Sequence, residues 1–235
     1  MPRPNNMRAI EHRGESLTYM TVEPDNYQPD TPYPLIILMH GFGSHMGDLA
    51  GLAPAISQTD YVYAFPNAPI HMEMGFGAEG YAWTSLSEGD RAKLAKLSEI
   101  KLNGFFKEVF HLYHIEPGTV VLGGFSQGGM MAYRVGMARP RTFKGLAILS
   151  SILREDDQLL GCVDSEAGQS IFISHGTQDT IISVEDGRKS ASLLEARGYT
   201  PEYREYEIGH EISTEVLSDL RRWLSRILPS DTPQN

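Results

Sequence analysis

The chain has 235 residues, 41% of them hydrophobic and 21% charged, a balance that suits one large α/β domain or two small ones. Its formal net charge is −10 and it contains no basic run, which makes nucleic acid and anionic membrane surfaces poor partners. A single cysteine, Cys162, excludes an intramolecular disulfide, and no stretch approaches the run of about 20 apolar residues that a membrane helix needs. In chain order, residues 7–23 read as two antiparallel strands. PLIILMHG (34–41) is a continuous apolar run ending on a glycine, the pattern of a strand buried on both faces. YVYAFPNAP (61–69) is another, stopped at Pro66. The connection 66–90 has no clear periodicity and carries Met72, Met74, Phe76, Tyr81 and Trp83. Two readings of it stand: a loop folded on its own side chains, or an apolar wall over a pocket.

Residues 91–113 place Leu94, Leu97, Phe105, Val109 and Phe110 at helical spacing. TVVLGGF (119–125) is a strand, followed by a helix at 126–138 and further strands at 145–151 and 170–176. Ser183 is placed to cap a helix over 183–197, ahead of Glu185 and Asp186. EYREYEIGH (202–210) alternates more, and 212–227 puts Val216, Leu220, Trp223, Leu224 and Ile227 on one helical face. The order β-β-β-α-β-α-β-α-β-β-α-β-α predicts a mostly parallel sheet with helices on both faces. The expected domain is 7–228, with polar, proline-containing tails at 1–6 and 229–235. MPRPNNMRAI has no apolar core of signal-peptide length, so a cytoplasmic location is expected.

The chemistry concentrates at one corner. VVLGGFSQGGMMAYRVG (120–136) runs a strand into a turn with Gly124 two residues before Ser126 and Gly128 two after, then opens a helix. This is the arrangement of a nucleophile elbow, in which a strained turn lifts the serine hydroxyl clear of the sheet and a helix amino terminus favours a developing oxyanion. A serine needs a base and an acid to orient it. Of the eight histidines only His175 and His210 follow Ser126. His210 lies on a loop after the last strand-like run, at the sheet edge where ligands bind, and is the expected base. Asp179 lies just past the strand 170–175 and is the expected orienting carboxylate; Asp157 and Asp164 have no strand to deliver them. His175 is expected to be a structural ring bonded to backbone, and His40 a loop-shaping residue. The oxyanion donors are expected to be the backbone N–H groups of Gln127, directly after the serine, and Phe42, in the glycine-flanked loop His40-Gly41-Phe42-Gly43-Ser44.

HGFGS (40–44), GFSQGG (124–129), HGTQD (175–179) and GHEI (209–212) resemble, in order and spacing, the α/β-hydrolase fold serine carboxylesterases that include acyl-protein thioesterases and lysophospholipases. PNAP (66–69) and AW (82–83) are further pieces of that pattern, and the resemblance spans about 34–227. It implies an α/β-hydrolase fold and supports the roles of Ser126, Asp179, His210, Phe42 and Gln127. Two departures bear on pocket shape. Ser44 stands where the family often has aspartate, and Ile181-Ile182-Ser183 where it often has a Val-Pro pair. The strands at 7–23 resemble bacterial esterase relatives. The expected activity is hydrolysis of short- to medium-chain carboxylic esters through an acyl-enzyme. Met72, Met74, Phe76, Trp83 and Ile182 are the expected substrate contacts. Alternatives are an acyl-protein thioesterase or lysophospholipase, or a non-catalytic binding protein on a hydrolase scaffold. No metal or cofactor motif occurs. The expected partner is a small-molecule ester, with no nucleic acid and no stable membrane association, and the expected assembly is a monomer or homodimer.

Overall fold

Alternate residues of a strand point to opposite faces, so a strand buried along its whole length must be covered on both sides. Leu35–Met39 is such a strand, with all five side chains buried. The computed structural model describes residues 6–25, 27–75, 77–154 and 168–228. It contains, in chain order, β1 (Arg8–Arg13), β2 (Thr18–Glu23), β3 (Leu35–Met39), α1 (Met46–Ala50), α2 (Ala53–Ile56), β4 (Val62–Pro66), β5 (Ile70–Glu73) and β6 (Glu79–Ala82). There follow α3 (Glu88–Leu112), β7 (Val120–Phe125), α4 (Gln127–Gly136), β8 (Phe143–Leu149), β9 (Ser170–Gly176), α5 (Val184–Glu195), β10 (Glu202–Tyr206) and α6 (Thr214–Ile227).

Eight strands form one sheet in the order β1-β2-β4-β3-β7-β8-β9-β10. β1 with β2 and β2 with β4 are antiparallel, and every other neighbouring pair is parallel. This is the α/β-hydrolase fold that the sequence predicts. Leu35, Ile37 and Met39 enter a core shared with Phe105 and Val109 of α3 and Met131 and Tyr133 of α4. Ile36 and Leu38 face the other way, onto a core shared with Leu49 of α1, Ile56 of α2 and Trp223 and Leu224 of α6. Each such side chain contributes roughly 1.5–3 kcal/mol by leaving water, so β3 alone ties both helical layers to the sheet.

Most sequence expectations are met here. Ser183 caps α5, accepting from the Asp186 N–H. Val216, Leu220, Trp223 and Leu224 of α6 are buried on one face. The connection after β4 differs: β5 and β6 form a small antiparallel hairpin, and Ser44 bridges Tyr81 beside it. The expected tails lie outside the described residues apart from Asn6, as do Asp157, Cys162 and Asp164.

The chain order reverses between β3 and β7, which lie side by side with Met39 opposite Gly124. Open α/β sheets bind ligands in the crevice outside the carboxyl ends of the strands at such a point. The segments that leave β3 and β7 there are His40–Ser44 and Ser126.

Candidate active site

The corner after β7 is as tight as its glycines suggest. A Cβ on Gly128 would lie 2.0 Å from the Met39 carbonyl oxygen, so only glycine lets the start of α4 meet the end of β3. Ser126 has φ 53° and ψ −118°, a positive φ that costs a non-glycine residue about 1–3 kcal/mol. Its backbone is held on both sides. The N–H donates to Leu149 O at 2.9 Å, and the carbonyl accepts from Ser151 Oγ at 2.7 Å and from the Gly129 N–H at 3.0 Å. Although Ser126 occupies the N-cap position of α4, its hydroxyl makes no capping bond.

The loops after β9 and β10 are joined backbone to backbone. Thr177 N–H donates to Tyr206 O at 2.8 Å and Gln178 N–H to Ile208 O at 3.0 Å. Gly176 permits this approach, since a Cβ there would lie 2.3 Å from Gly209 O. The result is a short pair: His210 Nδ1 lies 2.7 Å from Asp179 Oδ2. The other carboxylate oxygen, Oδ1, accepts from the Ile181 and Ile182 amides at 2.8 and 2.9 Å. Burial alone raises the Asp179 pKa, but the His210 bond and these two amides outweigh it and hold the carboxyl below its ordinary value. A carboxylate oxygen can only accept, so His210 Nδ1 is the donor in this pair. Phe125, the residue before Ser126, packs its ring 4.7 Å from the His210 ring.

His175 is fully buried, and its Nε2 lies 2.9 Å from Ile182 O. The ring therefore braces the backbone turn that presents Asp179, a structural place as expected from the sequence. His40 is likewise locked: Ala68 N–H donates to its Nε2 at 3.0 Å, so Nδ1 carries the proton and donates to Gly41 O at 2.7 Å. Burial pushes this ring down to about 4, against the opposing pull of the Gly41 bond, so it stays neutral near pH 7. Gly43 N–H is taken by Tyr81 O at 2.9 Å, whereas no acceptor among the described residues takes the N–H of Phe42 or Gln127.

Ser126 and His210 line one cleft of about 480 Å³, together with Gly41, Phe42, Phe125 and Ile181. Leu49, Leu52 and Ile212 extend its apolar wall, and Ser44, Asp48 and Glu211 add polar edges. Such a volume suits a small organic ligand.

The phospholipase/carboxylesterase family matches residues 25–228 of this chain. The chain belongs to the phospholipase/carboxylesterase family. Acyl-protein thioesterase 1 of Emericella nidulans is 26% identical over 83% of this chain and 91% of its own length. Carboxylesterase SOBER1 of Arabidopsis thaliana is 27% identical over 82% and 90%. A carboxylesterase from Mesorhizobium loti superposes with a TM-score of 0.76, at 18% identity, over 92% of this chain and 98% of that one, which shows the shared fold. This member of the phospholipase/carboxylesterase family is a hydrolase of the esterase/thioesterase type.

The expected substrate contacts of this family member are placed as follows relative to the cleft. Met72, Met74, Trp83 and Ile182 are not among the residues that line the cleft. Trp83 has no exposed surface, and its indole N–H donates to His40 O at 2.9 Å, so the ring is part of the interior. Met74 lies beyond the cleft, with its side chain close over Gly43. The Ile182 backbone is engaged by Asp179 and His175, and its neighbour Ile181, 70% exposed, is the one that reaches the cleft. Phe76 lies outside the described residues. Sequence reasoning missed Leu49, Leu52, Phe125 and Ile212. Leu49 lies in α1 and Leu52 at the N-cap of α2, the short elements that follow the loop after β3. Among the described residues no cluster of His, Cys, Asp and Glu is placed to hold a metal ion, and no helix is long and apolar enough to cross a membrane.

Proposed function

We propose that this protein is a serine carboxylesterase for short- to medium-chain esters. Ser126 attacks the ester carbonyl while His210 Nε2 takes its proton, and Asp179 orients the ring and balances its charge. The amides of Phe42 and Gln127 hold the oxyanion. His210 then protonates the departing alcohol, and water repeats the sequence on the acyl-enzyme. The observation that carries this reading is the 2.7 Å pair of Asp179 and His210, on the rim of the cleft that Ser126 also lines. The strained backbone of Ser126, its uncommitted hydroxyl and the two unclaimed amides support it. The apolar side chains of the cleft favour a neutral acyl chain over an ionic one.

A thioester of an acylated protein would use the same groups, and the similarity to acyl-protein thioesterase 1 favours including it as a second reading. The test is a panel of p-nitrophenyl esters and matched thioesters of graded chain length, with Ser126→Ala as control. Turnover should fall on the order of 10⁶ in that variant if the residues act as a unit. A fluorophosphonate should label Ser126 in the folded protein. No label and no turnover on any member of the panel would identify a binding protein on a hydrolase scaffold instead.

A further inference from the structure

The two amides proposed as oxyanion donors come from distant segments, yet one short stretch touches the supports of both. We infer that Trp83-Thr84 is a strut that fixes the Phe42 and Gln127 amides relative to each other, with Trp83 a positioning residue and not a wall of the acyl pocket; this rests on the oxyanion roles proposed above.

On the Phe42 side the argument runs through one peptide plane. The Phe42 N–H and the Gly41 C=O belong to the same planar trans unit and point in opposite directions. Fixing the carbonyl therefore aims the N–H. Gly41 O is fixed by the His40 Nδ1–H at 2.7 Å, and by the Ser44 N–H at 3.4 Å. His40 is fixed in turn by Ala68 at one end and by Trp83 at the other, whose indole N–H donates to the His40 carbonyl at 2.9 Å. The His40 and Trp83 rings also pack with centroids 5.5 Å apart.

On the Gln127 side the same stretch binds the side chain. Gln127 is the first residue of α4, where a backbone N–H has no intrahelical partner. Its side-chain Oε1 accepts the Trp83 N–H at 2.7 Å, and its Nε2 donates to Thr84 O at 3.0 Å. The residue is thereby held in a single rotamer with both polar ends satisfied. The strut itself is anchored to α3: Ser98 Oγ donates to Trp83 O at 2.5 Å, and Thr84 Oγ1 donates to Arg91 O at 2.8 Å. All three polar groups of Trp83 are thus committed, two of them to the residues that position the amides. Two of these groups are backbone and tie the segment itself; the indole N–H is the side chain's own contribution, and it goes to the His40 carbonyl.

Trp83→Phe keeps an aromatic ring but deletes the indole N–H together with part of a fully buried ring system, so the Gln127 variant below, which leaves Trp83 in place, is its necessary partner. Losing an oxyanion donor outright costs about 10²–10³ in kcat, so misaiming one should cost about 10-fold or more. The readouts are kcat, KM and the inhibition constant of an alkyl boronic acid, which forms a tetrahedral adduct on serine and so reports the oxyanion site. The inference expects kcat and boronate affinity to fall by the same factor, with KM within twofold and the chain-length preference unchanged. Gln127→Met keeps the backbone amide and removes both side-chain bonds; it should show the same pattern and decides the matter if the Trp83 variant fails to fold. A shift in KM or chain-length preference with boronate affinity intact makes Trp83 a pocket wall and overturns the inference, as does wild-type behaviour in a folded variant. Wild-type protein that neither turns over an ester nor takes the fluorophosphonate overturns the proposed function itself, a separate outcome.

Discussion

Replacing His40 by Asn should remove a component of the protein's acid sensitivity. Burial lowers the His40 pKa from its ordinary 6.5 to about 4, more than the Gly41 hydrogen bond raises it. Above pH 6.5 the ring is neutral in folded and unfolded chains alike, and its full contribution to stability is present. Between pH 6.5 and 4 the unfolded chain binds a proton that the folded one refuses, so that contribution is lost as the pH falls. A fall from 6.5 to about 4 is worth roughly 3 kcal/mol in all, of which about 2 kcal/mol is gone by pH 5. At pH 7.5 the Asn variant should be less stable than wild type by about 1–3 kcal/mol, because Ala68 N–H loses its buried acceptor. Urea unfolding of both proteins at pH 7.5 and 5.0 gives the two gaps. Carboxylates titrate in both proteins and cancel in the difference. The gap should close by about 2 kcal/mol at the lower pH. A gap independent of pH would show that His40 is not held neutral by burial, and a gap that widens in acid would show a ring that is charged in the fold.

Asp179→Asn should lower kcat on the order of 10⁴ with little change in KM, measured by steady-state kinetics on a p-nitrophenyl ester, because the His210 ring loses both its anionic partner and its tautomer. The Asp179 carboxyl is held below its ordinary 3.8, so its contribution to stability is present above that pH and lost as the pH falls through the lower folded value. Gly128→Ala should cost more than about 4 kcal/mol in denaturant unfolding, since the new Cβ meets the Met39 and His40 carbonyl oxygens and backbone cannot step aside as a side chain would. Ile181→Ala should leave stability within about 0.5 kcal/mol while shifting chain-length preference, because the side chain is 70% exposed yet lines the cleft.

The central strands were legible because burial on both faces writes itself as an uninterrupted apolar run. β3, β7, β8 and β9 each show it, and the helices between them follow from the strand direction. β5 and β6 were not legible. Each has four residues, with polar His71, Glu73 and Glu79 facing water and two glycines at positive φ in the turn between them. The hairpin is held by its own pairing and by the bridge to Ser44, neither of which leaves a periodic trace. α1 and α2, of five and four residues, are too short to show a helical period at all.

At the site the same distinction holds between residues named by backbone necessity and residues named by hydrophobicity. Gly128 and Gly176 are demanded by close approach, at the corner that carries Ser126 and at the joined loops that carry Asp179 and His210. Trp83 shows the other case. A large apolar residue in a long connection reads equally well as a pocket wall or as interior, because hydrophobicity says that a side chain leaves water and not what it meets. What separates the two is the direction of one indole N–H, and that direction depends on His40 O, 43 residues earlier in the chain. Ile181 and Ile182 differ by the same logic. The pair is equally apolar and both amides donate to the Asp179 carboxylate, but only the Ile182 carbonyl also meets the His175 ring, and Ile181 is the one that lines the cleft. Polar anchors help decide which apolar neighbour lines the cleft, so a pocket's lining becomes readable only once its hydrogen bonds are placed.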